Sequence, residues 1–270
     1  MSSRIERVVV TLDATSENLT AIDTAARLAA RAKAPLHGVF VEDDELLRLA
    51  RLPFARETTR DAGTARFTAE LIETQFHAAA EHAREELFAA AKRLGVEPSF
   101  EVVRGVAETA LASATERDLV VAGALTRPVA EGFRTECRWL GLVDAAPGPF
   151  LLCRRGSTTG GSVVVLLRRH GPSSARLIES ALQMAEARDG GLRVVCLAVA
   201  ASEPSLPAEI EERLATAQMR LELERASDEP RDLERRIAEL DCQLLVIETG
   251  AGGRMHDFAE RIACDVLVVR

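Results

Sequence analysis

The sequence contains no tyrosine, and aromatic side chains make up only 4% of its 270 residues. Hydrophobic residues still reach 47%, a share typical of globular proteins. A core with so few rings must be aliphatic, built from valine, leucine, isoleucine and alanine. No apolar run approaches the roughly 20 residues that a membrane helix needs, so we expect no membrane association.

Basic charge is also scarce. The 34 Lys and Arg side chains are outnumbered by 42 Asp and Glu side chains, which gives a net charge of -8. Non-specific binding to nucleic acid depends on a basic surface. The composition therefore argues against nucleic acid as a partner.

The cysteines form no CxxC pair: Cys137, Cys153, Cys196, Cys242 and Cys264. A scattered, odd-numbered set is typical of reduced thiols in a cytoplasm, where small hydrophobic packing is their simplest role. The residues Met1–Arg4 lead directly into an apolar run and hold no signal-peptide core. We therefore expect a cytoplasmic protein.

One pattern of elements occurs twice along the chain. Gln243–Arg270 reads as an apolar run, a glycine-rich loop, a short helical piece and a second apolar run, and Leu119–Cys153 repeats that order. Such a repeat predicts two domains. We place them at residues 1–155 and 162–270, the second shortened, with a flexible linker at 156–161.

Short apolar runs alternate with helical periodicity in both halves, which predicts an α/β fold with parallel sheets. The predicted strands of the first half are Val8–Leu12, Leu36–Val41, Phe100–Val103, Leu119–Ala122 and Phe150–Cys153. Those of the second half are Val163–Leu167, Leu192–Val199, Arg220–Glu224, Leu244–Ile247 and Val266–Val269. The stretch at 220–224 alternates apolar and polar residues, which favours an edge strand, with a helical continuation as the alternative.

Apolar residues at intervals of three and four predict the helices. In the first half they run from Thr15 or Ser16 to Arg31, from Phe67 to Leu94, from Val106 to Thr115 and from about Glu136 to Ala145. In the second half they run from Ser173 or Ser174 to Arg188, from Pro207 to about Gln218, from Asp232 to Leu240 and from Met255 to Ala263. Residues 42–66 are irregular and indicate a loop or flap, with a short helical stretch at 43–52.

The opening RVVVTLDATSENLTAIDTAARLA and the ending LLVIETGAGG…ACDVLVVR resemble the universal stress protein family in its tandem form. The resemblance covers nearly the whole chain. It implies two Rossmann-like, doubly wound parallel-sheet domains of the adenine nucleotide alpha hydrolase kind, each with strand order 3-2-1-4-5. It also implies an internal pseudo-dimer in which the fifth strands of the two domains pair; a higher oligomer stays open.

Nucleotide-binding members of that family carry G-x2-G-x9-G-[ST] after the fourth strand and an Asp at the end of the first. Glycines let backbone N–H groups approach phosphates, and a helix N-terminus adds partial positive charge. In the first half Asp13 and Gly123 match, but Thr126 replaces the second glycine and Pro128 removes a donor N–H. The first half is therefore predicted not to bind ATP, and Asp13 is either a ligand residue or a cap for the first helix.

The second half retains Gly250 and Gly253, with Gly252 between them, but its loop is short and Ala263 replaces the distal glycine. The family Asp is replaced by Arg168. A full triphosphate cradle is therefore not expected in this half either.

A smaller anion suits the second half better. Arg168 and Arg169 follow its first strand, just before a helix expected to begin near Ser173. Ligands of open α/β sheets bind outside the carboxyl ends of the strands, at the switch point between strands 1 and 4, so the arginines and the Gly250–Gly253 loop should meet. Guanidinium groups and a helix N-terminus favour phosphate, sulfate or a monophosphate. Solvated arginines beside a tight turn are the simpler interpretation.

The sequence shows no catalytic set and no metal site. It has no G-x-S-x-G elbow, and no histidine stands at a recognisable strand end with a serine partner. His77 and His82 have the wrong spacing for a shared metal ion on one helix. The carboxylates of Asp43, Asp44 and Glu45 could hold a cation, but a solvated helix start is the simpler interpretation.

Three functions remain. The favoured one is a non-enzymatic stress-response or regulatory module without a cofactor, which acts through contacts with an unknown protein partner. The second is a sensor of a small anion or a nucleotide that uses the second domain. The third and least favoured is a weak nucleotide hydrolase, since the sequence offers neither a recognisable general base nor a metal-ligand set.

Overall fold

The computed structural model describes residues 5–14, 18–52, 56–59, 63–66, 68–123, 138–154, 161–167, 172–187, 193–198, 212, 220–227, 229–249, 258 and 261–270. They fall into two compact units: a first unit, Glu6–Pro147, and a second unit, Gly148–Arg270, which also includes Ile5. Both units combine helices with a mostly parallel sheet. The predicted α/β class is confirmed, whereas the predicted domain boundaries stay a prediction.

The strands of the first unit are β1 (Arg7–Leu12), β2 (Leu36–Asp43), β3 (Arg56–Thr59), β4 (Gly63–Arg66), β5 (Pro98–Gly105) and β6 (Asp118–Gly123). Its helices are α1 (Asn18–Ala32), α2 (Asp44–Ala50), α3 (Ala69–Leu94), a 3₁₀ helix (Ala107–Leu111) and α4 (Arg138–Ala145). The strands β6, β1, β2 and β5 pair in parallel in that order. The strands β3 and β4 form a separate antiparallel hairpin, so the segment predicted as a loop or flap contains regular structure.

The core of the first unit lies on both faces of this sheet. Helices α1 and α3 pack together and cover one face, where Gly38 of β2 lies against Leu87 of α3. On the other face, Val39 and Val41 cluster with Ala110 of the 3₁₀ helix, because successive side chains of a strand point to opposite faces. The strands β1 and β6 are therefore almost completely buried, as their continuous apolar runs predict.

The third helix of the first half is shorter than predicted. The periodicity favours a helix over Val106–Thr115, but the structure has a 3₁₀ helix at Ala107–Leu111. The buried carboxylate of Asp118 accepts a hydrogen bond from the backbone N–H of Thr115 at 2.8 Å and from the Arg7 guanidinium at 2.6 Å. These bonds hold the end of the segment in a turn, so tertiary contacts override its helical periodicity.

The second unit contains β7 (Phe150–Cys153), β8 (Ser162–Leu167), β9 (Arg193–Ala198), β10 (Arg220–Arg225), β11 (Cys242–Glu248) and β12 (Asp265–Val269). Its described helices are α5 (Pro172–Ala187) and α6 (Pro230–Glu239). The strands β10, β9, β8, β11 and β12 pair in parallel in that order, and α5 packs on β8, β9, β11 and β12. The strand at 220–225 confirms the edge-strand interpretation over the helical alternative. The helix predicted at 207–218 lies outside the described residues except for residue 212, and that at 255–263 except for 258 and 261–263.

The strand β7 belongs by sequence to the first repeat but packs with the second unit. It pairs antiparallel with β12, with Leu152 opposite Val266 and Phe150 opposite Val268. The buried Asp265 carboxylate also accepts a hydrogen bond from the backbone N–H of Arg154 at 2.7 Å. The apolar edge of β12 is thus covered, which protects it from pairing with other chains.

Gly161 lies where two backbone segments of the second unit come too close for a side chain. The N–H of Ser162 donates to the carbonyl of Asp241 at 3.0 Å, and a Cβ atom at position 161 would overlap that carbonyl oxygen. Asp241 itself has a left-handed backbone with φ of 48°. Glycine at 161 therefore allows the turn before β11 to dock against the start of β8.

We predict that Gly161→Ala lowers the free energy of unfolding by about 1–3 kcal/mol, because the added methyl group forces the two backbones apart. Urea denaturation followed by circular dichroism measures the loss. Gly95→Asn is the matched control, since a side chain there meets open space and asparagine tolerates a left-handed backbone. An equal loss in both variants would contradict the proposed backbone contact.

Candidate functional site

The first unit brings two of the predicted ligand residues to one edge of its sheet. Asp13 follows β1 and Gly123 ends β6, and these strands pair with Thr11 opposite Ala122. The hydroxyl of Thr11 also donates to the carbonyl of Val121 at 3.5 Å. Both predicted residues are partly exposed. They lie at the carboxyl edge of the sheet, between the two strands where its order reverses, which is the usual ligand position of open α/β sheets.

The second unit repeats this arrangement at β8 and β11. These strands pair in parallel with Val165 opposite Val246, so they end at neighbouring positions of the carboxyl edge. The predicted anion-binding residues follow directly in the sequence, after Leu167 and after Thr249. Those residues themselves lie outside the described part of the chain: Arg168, Arg169, Gly250, Gly252 and Gly253. The backbone of Ser173 lies in the first turn of α5.

The connection after the fourth strand differs in length between the two repeats. Residues 249–264 link β11 to β12, whereas residues 124–149 link β6 to β7. The shorter connection leaves Ala263 close to the start of β12. The connection thus has 16 residues in the second repeat and 26 in the first.

A polar cluster that the sequence analysis missed lies on β2 and β5. The Nδ1 atom of His37 lies 2.8 Å from the Ser99 hydroxyl, and its Nε2 atom lies 3.2 Å from a Glu101 carboxylate oxygen. The expectation that no histidine stands at a strand end with a serine partner is therefore wrong. Parallel pairing places His37 opposite Ser99, and this register cannot be read from the spacing along the chain.

The cluster of Ser99, His37 and Glu101 has the residue types of a nucleophilic triad. Its location argues for a different role, because His37 and Ser99 lie at the amino ends of their strands. Ligands of open α/β sheets bind at the opposite, carboxyl edge. The Glu101 side chain is also 46% exposed, so solvent competes for its hydrogen bond. We interpret the cluster as a cross-strand link that holds the edge strand β5 to β2.

The acidic residues at the end of β2 act as a helix cap. The Asp43 carboxylate accepts hydrogen bonds from the backbone N–H groups of Glu45 at 2.8 Å and Leu46 at 3.3 Å, which favours the helix-start interpretation.

His77 and His82 are exposed on α3. Within the described ranges, no three His, Cys, Asp or Glu side chains form a group that could hold a metal ion.

Two cysteines, scattered in the sequence, come together in the second unit. The sulfur atoms of Cys242 and Cys264 lie 3.3 Å apart, where β11 begins and just before β12. The hydrogen bond between these thiols and the burial of Cys242 raise the pKa of Cys242 well above its ordinary value. Burial alone raises the pKa of Cys196, inside β9, to about 12. None of the described cysteines is joined in a disulfide, but Cys242 and Cys264 contact each other.

Comparison with known proteins rests on solved structures, since no family model and no curated protein matches the sequence. A universal stress protein from Archaeoglobus fulgidus DSM 4304 has a TM-score of 0.67 at 12% identity, covering 99% of this chain and 97% of that chain. A protein from Pseudomonas aeruginosa UCBPP-PA14, also described as a universal stress protein, has a TM-score of 0.60 at 18% identity, covering 99% and 94%. The cytoplasmic domain of a prokaryotic cation chloride cotransporter has a TM-score of 0.50 at 12% identity, covering 98% and 95%.

The chain therefore has the fold of the universal stress proteins over nearly its whole length, and the predicted resemblance is confirmed at the level of the fold. Identities this low carry no function from one protein to another. The cotransporter domain illustrates the point, since one architecture serves proteins of different kinds. Among the described helices, none has the length and apolar character to cross a membrane.

We predict that His37→Ala lowers the free energy of unfolding by about 1 kcal/mol, because it removes two partly exposed cross-strand hydrogen bonds. Thermal denaturation measures the loss, with the exposed His77→Ala as a control expected to change little. The same preparations should hydrolyse p-nitrophenyl acetate at equal rates, with or without a further Ser99→Ala substitution. A hydrolysis rate that falls at least tenfold in Ser99→Ala would contradict the structural role.

Proposed function

We propose that this protein is a non-enzymatic, cytoplasmic stress-response or regulatory module that acts through protein contacts and does not bind ATP. The observation that carries the proposal is the fold likeness to a universal stress protein over 99% of the chain. We further propose the internal pseudo-dimer that the sequence resemblance implies. The antiparallel pairing of β7 with β12 supports it, because these are the fifth strands of the two repeats.

The charge at the carboxyl edge of the first unit supports the absence of ATP binding. Glu42, Asp43, Asp44 and Glu45 follow one another from β2 into α2, and Arg104 is bound to Glu42 by two hydrogen bonds of 2.7 and 2.9 Å. Hydrogen bonding to Glu42 and the negative charge of that carboxylate raise the pKa of Arg104 above its ordinary value. The arginine is thus occupied by a carboxylate, and the remaining negative charge would repel a triphosphate.

Exposed apolar side chains support a role in protein contacts. Leu49 is 54% exposed near the end of α2, Leu52 follows at 45%, and Leu71 of α3 is 38% exposed. The two helices pack together through the buried side chains of Leu47 and Ile72. Single exposed leucines are common on protein surfaces, but two on this helix pair and a third just after α2 provide apolar area where a partner could bind.

A second candidate function is the sensing of a small anion by the second unit. The neighbouring ends of β8 and β11 support it, because the segments that contain Arg168, Arg169 and Gly250–Gly253 are attached to them. A phosphate, a sulfate or a monophosphate needs fewer donors than a triphosphate. Nucleotide hydrolysis is the least favoured function, since the described residues contain no group of His, Cys, Asp or Glu side chains that could hold a metal ion.

We predict that millimolar ATP leaves the melting temperature of the protein unchanged and releases no phosphate. A ligand that binds only the folded state at 100 times its Kd would add about 2.7 kcal/mol of stability, which is readily detected. Calorimetric titration gives the independent measurement. Micromolar ATP affinity in the parent that disappears in Asp13→Ala would refute the absence of ATP binding, and phosphate release from ATP would favour the hydrolase.

We predict for the second candidate that phosphate and AMP raise the melting temperature, and that Arg168→Ala and Arg169→Ala each reduce the rise. Added salt should weaken the effect, because a partly exposed ionic site is screened. Arg235→Ala is the control, since that side chain is 71% exposed on α6. If the parent shows no stabilisation, or if all variants respond equally, the second unit is not an anion sensor.

We predict that the variant with both Leu49→Ser and Leu52→Ser loses a protein partner that the parent retains in quantitative cross-linking from cells. Leu223→Ser is the matched control, because Leu223 is an exposed leucine of the second unit at 39%. Equal recovery of every partner by both variants would show that Leu49 and Leu52 are not part of a contact surface.

A further inference from the structure

The thiols of Cys242 and Cys264 lie at the amino ends of two adjacent parallel strands. Their sulfur atoms are 3.3 Å apart, although the residues are 22 positions apart in the sequence. The pairing of β11 with β12 begins at Leu244 and Asp265, so Cys264 directly precedes the paired part of β12 and Cys242 lies two residues before that of β11. The proximity is therefore fixed by the strand register and not by a flexible side chain alone.

We propose that Cys242 and Cys264 form a redox site, in which a hydroperoxide oxidises the two thiols to an intramolecular disulfide. The thiolate of one cysteine attacks the peroxide oxygen, which breaks the O–O bond and yields a sulfenic acid and water or an alcohol. The second sulfur then attacks the sulfenic sulfur and displaces hydroxide, which takes up the remaining thiol proton to form water. The two sulfurs lose two electrons, and the peroxide gains them.

The local backbone allows the small movement that this bond requires. A disulfide has a sulfur–sulfur distance of about 2.05 Å, so the 3.3 Å contact must shorten by about 1.2 Å. The register of β11 against β8 shifts between Cys242 and Leu244, and such an irregularity lets a strand bend locally. Cys242 is also only partly buried, whereas Cys264 is 5% exposed. The side of Cys242 is therefore the more open one for an approaching peroxide.

The protonation state of the two thiols determines how fast peroxide oxidises them. Thiolates react with peroxide and protonated thiols do not, and the raised pKa of Cys242 keeps this thiol protonated at neutral pH. Oxidation should therefore be slow, but the second sulfur lies in contact and traps the sulfenic acid before it can oxidise further. Cys196 is buried in β9 without such a neighbouring thiol among the described cysteines, and its pKa of about 12 makes it a natural internal control.

The disulfide would close a loop that contains the predicted anion-binding glycines of the second unit. Residues 243–263 lie between the two cysteines and include the Gly250–Gly253 stretch that is predicted to bind an anion. Crosslinking the ends of a segment restricts the unfolded chain and so stabilises the folded one. The oxidised second unit is therefore more resistant to heat than the reduced unit.

To test the proposal, the folded protein is treated with hydrogen peroxide, and its remaining thiols are blocked with iodoacetamide. The protein is then digested with trypsin without reduction. We expect a disulfide-linked pair of peptides, residues 237–254 with residues 262–270, which separates on addition of dithiothreitol. Oxidation should also raise the melting temperature by about 5 °C. Cys196→Ala should retain the linked peptides and the rise, whereas Cys242→Ser and Cys264→Ser should lose both.

The peptide map of the parent protein decides the outcome even if a variant folds poorly. Alkylation of both Cys242 and Cys264 after prolonged peroxide treatment would overturn the proposal. A link from either cysteine to Cys137, or a link between two chains only, would overturn it as well. Protein oxidised in urea provides the reference for cysteine pairing without the fold, and it should show mixed links.

Discussion

The parallel pairing of β1 with β6 and of β8 with β11 is the interaction on which the rest of the structure depends. The strands β1 with β6 and β8 with β11 are buried almost completely, so their aliphatic side chains contribute about 25 cal/mol for each Å² removed from water. The same pairs also bring Asp13 to Gly123, and bring the ends of the segments with Arg168 and Gly250 to one edge. Stability and the candidate ligand positions thus share one set of contacts.

The central strands could be predicted from the sequence because they are buried on both faces. Val163–Leu167 is apolar throughout, and helical and glycine-rich segments flank it in the sequence. A short, continuous apolar run in that setting is typical of a parallel strand covered on both faces. Where one face meets solvent or a polar contact intervenes, the pattern is weaker. The periodicity of Val106–Thr115 predicts a helix of normal length, but the carboxylate of Asp118 holds the end of that segment in a turn. A contact with a residue outside the segment decided its conformation.

The candidate site residues also differ in how far the sequence could predict their positions. The topology of the fold predicts which strand ends are neighbours, so Asp13 and Gly123 could be placed together before their positions were known. The contacts of His37 with Ser99 and of Cys242 with Cys264 depend instead on the register of parallel strands. A shift by one residue turns a side chain to the other face of the sheet. Sequence spacing does not specify the register between strands joined by long connections, so these pairs were missed.

The position of β7 affects what a break in the chain would do. A cut within residues 156–161 would leave β7 on the amino-terminal fragment, while its hydrogen-bonded partner β12 lies on the other fragment. The fragments would then be bound to each other by a shared ladder, and dissociation would uncover an apolar edge on β12. The first repeat thus supplies one strand to the folded unit that contains the second repeat. A nick at this place would produce a two-chain complex, not two independent proteins.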